Sequence, residues 1–501
     1  MLFALTLVSV PGICGTADAI EEFNTKGPKA RPTCQTYITT THFKVHYDTT
    51  GTHACPKSYA DSIGMYAEHA WDVYVTGLGF EKPPSDGSAG GDSLYDMYVQ
   101  YLSGGVLGYT SPESPGGNYT DSYTSYIVIG RGWDNSTLRN TVVHEFMHAC
   151  QMAYERGFGR YQNIWFMENC AMWGEEMCYP NDNEYVGYLN GTSPLKRPYF
   201  EINHMLNPTD LYEYAGVLWP LFLMLWTGDT AIIQRIWLRY GQNPGAHSYS
   251  DIDYILSNYY GTNLKRALEN YAIWRWFVSG RYDNWHWTES NLYPTVTVVK
   301  SHSSYPAYGG QGIFYPKGAG GCDFVVFYNY TPNDTLYFYF DGSDNFDWEV
   351  FVIGYRGGPS NPSDTFRINV NDATGYGSRP IPTLDYDSLI LVPVVCNWVD
   401  ASYTPDLLFT YWVDKVAVDE SIPEKTLRVN STGRGFSFNL PAEGEVSLAL
   451  FDATGRKAFE VTRAFPAGEN TLTLPPGLNG GIYFWRFSYL NQNLLGKTVI
   501  R

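Results

Sequence analysis

The spacing of apolar residues changes near residue 290, and this change constrains the fold of the 501-residue chain more than any other feature. Before it, alternating segments give way to long segments with helical spacing. After it, short apolar or alternating runs recur between Gly, Pro, Asn and Asp. A chain of this length is too long for one ordinary core, so two to four domains are expected. The order of elements predicts a multidomain protein in which an α+β domain precedes all-β domains.

Residues 20–290 are predicted to form the α+β domain, with strands first and helices after them. A loop rich in Gly, Ser and Pro is expected between the second and third strands. The predicted strands cover residues 36–47, 96–102 and 123–129, and the predicted helices cover residues 57–78, 134–155, 165–177, 211–226, 229–240, 249–258 and 263–279. The third strand, at Tyr126 to Val128, has the pattern of an edge strand that binds an extended peptide by β-addition.

Residues 291–418 and 426–501 are predicted to form two β-sandwich domains, joined by a polar linker near residues 415–425. The loop Asp341-Gly342-Ser343-Asp344 carries paired acidic residues that can bind Ca²⁺, although a solvated turn is the more common use of such a loop. The clearest strand patterns after residue 290 cover residues 324–328, 336–340, 348–353 and 389–395.

Residues 1–19 are predicted to be a signal peptide. A short apolar run from Leu2 to Val10 is followed by small residues and by Ala17-Asp18-Ala19, which has the A-x-A form of a cleavage site. This run is too short to span a bilayer, and no other apolar stretch is long enough, so no transmembrane span is expected. Acidic residues outnumber basic ones by 51 to 33. Nucleic acid is therefore not expected as a partner, because phosphate binding needs a basic face.

The sequence His144-Glu-Phe-Met-His148 lies in a predicted helix and has the spacing of a metal-binding motif. Four positions correspond to about 400° of rotation and about 6 Å of rise, so both imidazoles project from one face. Two imidazoles placed in this way can hold one zinc ion. Glu145 lies about 100° round the helix from His144. It can therefore act as general base on the water in the fourth position.

A catalytic zinc ion needs a third protein ligand, and the next predicted helix supplies Glu168. Residues 149–167 are enough for a helix end, a loop and a return to the first helix. Glu175 lies about two turns further on, so it shares the face of Glu168 and can hydrogen-bond a ligand imidazole. Glu155 and Glu176 are less well placed.

The cysteines near the motif are expected to be structural, because Cys150 and Cys170 point away from the metal-binding faces of their helices. With Cys178, they are expected in the core or in a disulfide that joins the two helices. Export also permits disulfides elsewhere in the chain, and the local candidates are Cys34–Cys55 and Cys322–Cys396.

At these residues the sequence resembles the gluzincins, metallopeptidases whose zinc is held by two His and one Glu. The segment from Glu168 to Glu175 is similar to E-G-x-A-x-x-x-E of the aminopeptidase branch, with Asn169 in place of Gly and a longer gap before it. The segments TVVHEFMHA, WFME and AMWGE resemble more closely a group of bacterial secreted metalloproteases that couple such a domain to β modules. The resemblance covers residues 40–290. It implies a zincin-like domain with one catalytic Zn²⁺ held by His144, His148 and Glu168.

Gluzincins also have a downstream Tyr or His that stabilises the oxyanion. The segment from Tyr212 to Gly216 resembles this part of the family; Tyr214 is preferred, Tyr212 is the alternative and His204 is weaker. The implied activity is hydrolysis of a protein or peptide by zinc-activated water with Glu145 as base. An endopeptidase is favoured over an aminopeptidase, because no Gly-rich exopeptidase motif precedes the helix. A surface binding or adhesion protein with a degenerate peptidase domain is the other alternative.

Residues 435–501 resemble the C-terminal sorting domain of the type IX secretion system. The matching features are Gly455-Arg456 after an apolar strand, Gly481-Ile482-Tyr483 within a strand, and the basic closing strand from Lys497 to Arg501. The resemblance implies that the type IX machinery is a partner. The protein is then expected to be secreted or held at the bacterial cell surface, as a monomer. A plain immunoglobulin-like spacer is the alternative for this segment.

Overall fold

A computed structural model of the chain describes most of its length. The described residues are 13–205, 210–245, 249–310, 315–398, 407–415, 429–431, 435–440, 443–452, 456–466, 468–475, 477–489 and 492–500. Three sequence-based expectations fall partly outside them: residues 1–12 of the expected signal peptide, residues 416–425 of the expected linker, and Gly455 and Arg501 of the C-terminal resemblance.

The chain divides into two compact units, Met1–Lys415 and Val416–Arg501. The α-helices described in the first unit are α1 (Thr16–Lys26), α2 (Lys57–Trp71), α3 (Asn135–Met152), α4 (Trp165–Cys178), α5 (Tyr185–Tyr188), α6 (Tyr212–Ala215), α7 (Leu218–Thr227), α8 (Ala231–Gln242), α9 (Tyr249–Tyr259) and α10 (Leu264–Trp274). A π-helical turn, Asp72–Gly77, follows α2, and another, Arg160–Ile164, precedes α4.

The strands described in the first unit are β1 (Ile13–Cys14), β2 (Thr36–Thr39), β3 (Phe43–Tyr47), β4 (Tyr95–Gln100), β5 (Val106–Pro115), β6 (Tyr123–Gly130), β7 (Lys300–His302), β8 (Ala307–Gly310), β9 (Val325–Phe327), β10 (Thr335–Gly342), β11 (Trp348–Tyr355), β12 (Asp364–Ile368), β13 (Val370–Asn371), β14 (Tyr376–Pro382), β15 (Ser388–Val395) and β16 (Phe409–Asp414). Those described in the second unit are β17 (Val429–Ser431), β18 (Gly435–Leu440), β19 (Gly444–Asp452), β20 (Lys457–Phe465), β21 (Gly468–Thr473), β22 (Gly481–Tyr489) and β23 (Gln492–Ile500).

These elements make a multi-unit mixed α/β protein with several β-sheets, which is the coarse form of the predicted fold class. The finer prediction, a zincin-like domain followed by two all-β sandwich domains, is not shown by this architecture. The predicted domain boundaries at residues 290 and 418 stay predictions.

One six-stranded sheet, in the order β1-β5-β6-β4-β3-β2, supports the helices that carry the metal-binding motif. Strands β3, β4 and β6 pair in parallel, whereas β5 runs antiparallel to β6. Strand β5 lies where a loop was expected, and it is paired on both sides, with β1 and β6. Because β6 lies between β5 and β4, the expectation that it is an edge strand open to β-addition is wrong.

Helix α3 begins where the sequence predicts a helix start. The Asp134 carboxylate accepts the backbone N–H groups of Ser136 and Thr137, each at 3.0 Å, and so caps the first turn. From Asn140 to its end the helix is buried on all sides. It packs against β5 and β6 on one side and against α2 and α4 on the others. Polar side chains in this helix therefore lie in the protein interior.

The main hydrophobic core of the first unit contains residues from both sides of residue 290. Trp276 stacks on Phe324 with ring centroids 5.9 Å apart. The buried Arg275 guanidinium donates to the carbonyl oxygens of Pro194 at 3.3 Å, Pro198 at 3.1 Å and Gly320 at 2.7 Å. The helical region and the following sheets thus share both apolar and polar contacts.

Two five-stranded sheets, β13-β14-β10-β16-β8 and β12-β11-β15-β9-β7, share a second core in the same unit. One sheet contributes Phe340 and Phe409, and the other contributes Val350 and Leu391. The second unit has its own core between the sheets β17-β18-β21 and β20-β19-β22-β23.

All eight cysteines are free thiols. The candidate pairs Cys34–Cys55 and Cys322–Cys396 are therefore not formed in this structure, while the cysteines near the motif, Cys150, Cys170 and Cys178, are buried as expected of core residues.

In the described part of the chain, no single helix combines the length and the apolarity needed to cross a membrane. One pair of segments, Tyr212–Thr227 and Ala231–Gln242, meets the length and composition criteria only when taken together, and it is bent by 112°.

Candidate metal centre

Three side chains from two neighbouring helices meet in the interior of the first unit. His144 and His148 come from α3, and Glu168 comes from α4. One potential ligand atom of each lies within 4.8 Å of the other two. Glu168 Oε2 is 3.2 Å from His144 Nε2 and 3.5 Å from His148 Nε2. The residues are 0–1% exposed, so any ligand they share is removed from bulk solvent.

The His144 imidazole is oriented by Glu175, one turn beyond the middle of α4. Its Nδ1 lies 2.7 Å from Glu175 Oε1, and its Nε2 lies 3.2 Å from Glu168 Oε2. Burial raises the pKa of the Glu175 carboxyl to about 7, against the opposing effect of the His144 hydrogen bond. A carboxylate on the outer nitrogen is the usual support for a metal-ligating histidine.

The His148 imidazole is oriented by Gln151 on the same helix. Gln151 Nε2 donates to the backbone oxygen of Met167 at 3.0 Å, which leaves its Oε1 to accept from His148 Nδ1 at 2.8 Å. The proton of His148 is therefore placed on Nδ1. Its Nε2, like that of His144, points into the centre.

The groups left unpaired at this centre fit a cation. His148 Nε2 and Glu168 Oε1 have no hydrogen-bond partner among the described residues. Two imidazole nitrogens converge on a buried carboxylate, an arrangement that is costly without a positive charge among them. Two nitrogens and one oxygen are a donor set that suits a divalent transition metal ion. The chain therefore has buried groups that could hold a metal ion.

Glu145 lies beside this triad, with one carboxylate oxygen fixed and the other unpaired. Its Oε2 accepts the hydroxyl groups of Thr16 at 2.6 Å and Thr110 at 2.8 Å. Its Oε1 has no hydrogen-bond partner among the described residues. Strand β5 lies close to its neighbours at Gly108, because a Cβ at this position would be only 3.0 Å from the backbone oxygen of Val128 in β6. Glu145 is thus held rigidly with one oxygen free to accept a proton.

Of the two tyrosines predicted for the oxyanion, Tyr214 lies next to the triad. Its ring centroid is 6.0 Å from that of His144. Tyr212 instead packs against His204, with ring centroids 5.0 Å apart, and His204 bonds Asp210 at 2.9 Å. These contacts favour Tyr214 as the tyrosine of this centre.

A second group of potential ligands shares His144 with the first. A sulfur of Cys14, a nitrogen of His144 and a carboxylate oxygen of Glu145 all lie within 4.8 Å of one another. Cys14, His144, Glu175 and Tyr214 also line one small pocket at the side of the centre. Within the described ranges, the loop from Asp341 to Asp344 does not bring three potential metal ligands together.

The predicted site residues lie together around one point: His144, Glu145, His148, Glu168, Glu175 and Tyr214. Their chemical roles stay predictions. The sequence reasoning missed Cys14, Thr16, Thr110 and Gln151. Gln151 follows His148 by three positions on one helix, so helical spacing could have found it. The other three come from segments distant in sequence, for which no local signal exists.

No protein-family model matches the chain. No curated protein matches it either. Among solved structures, it matches a β-glucuronidase from Ruminococcus gnavus with 11% identity, 36% of each chain covered and a TM-score of 0.17. A glycosyl hydrolase family 2 member from Bacteroides cellulosilyticus DSM 14838 matches with 12% identity, 36% of this chain, 28% of that chain and a TM-score of 0.17. A Parabacteroides merdae β-glucuronidase matches with 11% identity, 40% of this chain, 28% of that chain and a TM-score of 0.16.

The matches cover only 28–36% of the length of these structures. At such TM-scores the likeness carries no argument that this chain is a glycosidase. The expected family and activity are nevertheless corrected: these matches are glycoside hydrolases, where a gluzincin-type metalloprotease was expected. Neither the family nor zinc metallopeptidase activity is retained, and the alternative of an adhesion protein with a degenerate peptidase domain gains no support.

Proposed function

We propose that the chain is a metal-binding protein in which His144, His148 and Glu168 hold one Zn²⁺ ion. The observation that carries the proposal is the convergence of both Nε2 atoms on Glu168 Oε2, while both Nδ1 atoms are already bonded by Glu175 and Gln151. A set of three protein ligands leaves one position of a tetrahedral ion for another group, as in zinc sites that carry out chemistry.

The residues around the triad support hydrolytic chemistry. When bound, zinc supplies Lewis acidity and makes a neighbouring water easier to deprotonate. Glu145 is the side chain suited to take that proton, because the Thr110 hydroxyl fixes its Oε2 and its Oε1 is unpaired. Burial raises the pKa of Tyr214 well above its usual value, so its hydroxyl group stays protonated and can donate to a developing negative charge.

We also propose a β-sandwich in each of the two units. The core shared by two five-stranded sheets supports a β-sandwich in the first unit, and the core of the second unit supports another. Export through the type IX machinery, a secreted or cell-surface location and a monomeric state stay predictions.

Metal content tests the zinc proposal directly. The full chain is purified, supplied with Zn²⁺, passed through a desalting column and measured by inductively coupled plasma mass spectrometry. We expect one zinc per chain in the wild type and a large loss in His148→Ala and in the isosteric Glu168→Gln. His286→Ala is the matched control, because His286 Nδ1 also bonds a carboxylate, that of Asp283 at 2.8 Å, away from the centre.

Circular dichroism is recorded on every variant, so that loss of zinc is distinguished from loss of the fold. Folded wild-type protein without zinc contradicts the proposal. Undiminished zinc in both His148→Ala and Glu168→Gln contradicts it equally, because the ion would then be bound elsewhere.

A further inference from the structure

The N-terminal segment of the described chain passes directly over the candidate metal centre. Strand β1 adds to the sheet in parallel with β5, with Ile13 N–H bonded to the Gly105 oxygen at 3.3 Å and Gly15 N–H to the Gly108 oxygen at 2.7 Å. This pairing places Cys14 in the interior with 9% of its surface exposed. Its thiol lies within 4.8 Å of a ring nitrogen of His144 and of a carboxylate oxygen of Glu145.

The backbone and the next side chain of this segment also bond to the centre. Tyr214 Oη accepts the N–H of Cys14 at 3.1 Å and donates to its carbonyl oxygen at 3.0 Å. The Thr16 hydroxyl donates to Glu145 Oε2 at 2.6 Å and accepts the N–H of Thr110 at 2.8 Å. The segment therefore forms hydrogen bonds with the two side chains that hydrolytic chemistry would use, the Glu145 carboxylate and the Tyr214 hydroxyl group.

Helix α1 holds the segment in place after it leaves the centre. Ile20 is fully buried against the loop at Gly157, where a Cβ would lie 3.1 Å from its methyl groups. Phe23 packs edge-on against Tyr123 of β6, with ring centroids 5.5 Å apart. Cys14 is thus part of an ordered strand and helix, and its position does not depend on a free chain end.

We propose that the Cys14 thiolate is the fourth protein ligand of the metal ion, so that residues 13–26 close the centre in a resting state. The inference rests on the proposed zinc site. Both groups of potential metal ligands contain His144. In addition, Glu145, His148 and Glu168 each have a buried side-chain atom without a hydrogen-bond partner among the described residues. The S–H bond of Cys14 is replaced by a sulfur–metal bond, and the proton is released to solvent. A site with four protein ligands is closed to substrate.

The closed state has a consequence for the activity. A substrate can reach the ion only after Cys14 leaves it and the contacts of Thr16 and Tyr214 are broken. Displacement of residues 13–19 from the centre would break these contacts together and leave the triad with an open position. The N-terminal segment is therefore an inhibitory element of the same chain.

Cobalt substitution tests this ligand without an activity assay. The full chain is loaded with Co²⁺, and its near-ultraviolet and visible absorption is recorded together with its cobalt content. We expect a thiolate-to-cobalt charge-transfer band in the wild type and its loss in Cys14→Ser with cobalt still bound. Cys34→Ser is the control, since Cys34 lies elsewhere, within 3.4 Å of Gln100 Nε2, and this variant should keep the band.

The possible outcomes separate the two proposals. Bound cobalt without a thiolate band in the wild type, or a band that persists in Cys14→Ser, overturns the role of Cys14 and leaves the zinc proposal standing. No cobalt in the folded wild type overturns both. If Cys14→Ser does not fold, X-ray absorption at the cobalt edge of the wild type decides the question: one sulfur neighbour supports the proposal, and only nitrogen and oxygen neighbours overturn it.

Discussion

Replacement of Glu175 tests the orientation of the candidate ligand His144 without removing any ligand. Its Oε1 lies 2.7 Å from His144 Nδ1, and its side chain is only 13% exposed, so water replaces it poorly. In Glu175→Ala the Nδ1–H loses its acceptor, and the proton can move to Nε2, the atom that must bind the metal. Loss of such an outer partner lowers metal affinity about 10- to 100-fold, which is about 1.4–2.8 kcal/mol of binding free energy. We expect the Kd for Zn²⁺ to rise within this range.

Competition with a chromophoric chelator at neutral pH measures this change. Glu176→Ala is the matched control: Glu176 is the next carboxylate on α4, and the described contacts place no bond from it to either ligand imidazole. An unchanged affinity in Glu175→Ala would refute the assigned orientation. An equal loss in Glu176→Ala would show that the effect comes from charge alone.

Three further predictions concern the centre and the fold. Gln151→Ala removes the acceptor of His148 Nδ1, and we expect the Zn²⁺ affinity to fall about tenfold in the same assay; an unchanged affinity would contradict the tautomer assigned here. Arg275→Met leaves three buried carbonyl oxygens without their donor, and it should lower the free energy of unfolding by about 3 kcal/mol or more, measured by urea denaturation; an unchanged midpoint would show that these bonds do not stabilise the fold. Burial raises the pKa of Asp323 well above its usual value, so the native state keeps a proton that the unfolded state loses as the pH rises past the ordinary Asp range. Stability is therefore lost with rising pH in the wild type, and Asp323→Asn should be more stable than the wild type at mildly alkaline pH but not in acid; an equal difference at both pH values would contradict this reasoning.

Elements and residues that depend on local spacing could be predicted from the sequence. Helix α3 carries His144 and His148 on one face, as the four-residue spacing predicts, and α4 returns Glu168 to them. The predicted ends of helices and strands were less accurate, because these ends depend on tertiary packing. The helix predicted over residues 57–78, for example, is α-helical only to Trp71 and continues as a π-helical turn to Gly77.

Features that depend on pairing between distant segments could not be predicted. Gly108 and Pro112 give β5 a weak local preference for a strand, yet pairing with β1 and β6 satisfies its backbone on both sides. Thr16 reaches the centre through a bond to Thr110, 94 positions away. The small residues around Ala17 are typical of a cleavage site, and this local pattern gives no indication that the same segment packs over a metal centre.

The central claim is most directly tested by anomalous diffraction at the zinc edge, from crystals of the full chain supplied with Zn²⁺. We expect one strong peak about 2.0–2.2 Å from His144 Nε2, His148 Nε2 and a Glu168 oxygen, with the Cys14 sulfur at about 2.3 Å. A folded chain with no peak between these atoms, or with zinc bound only elsewhere, would contradict it.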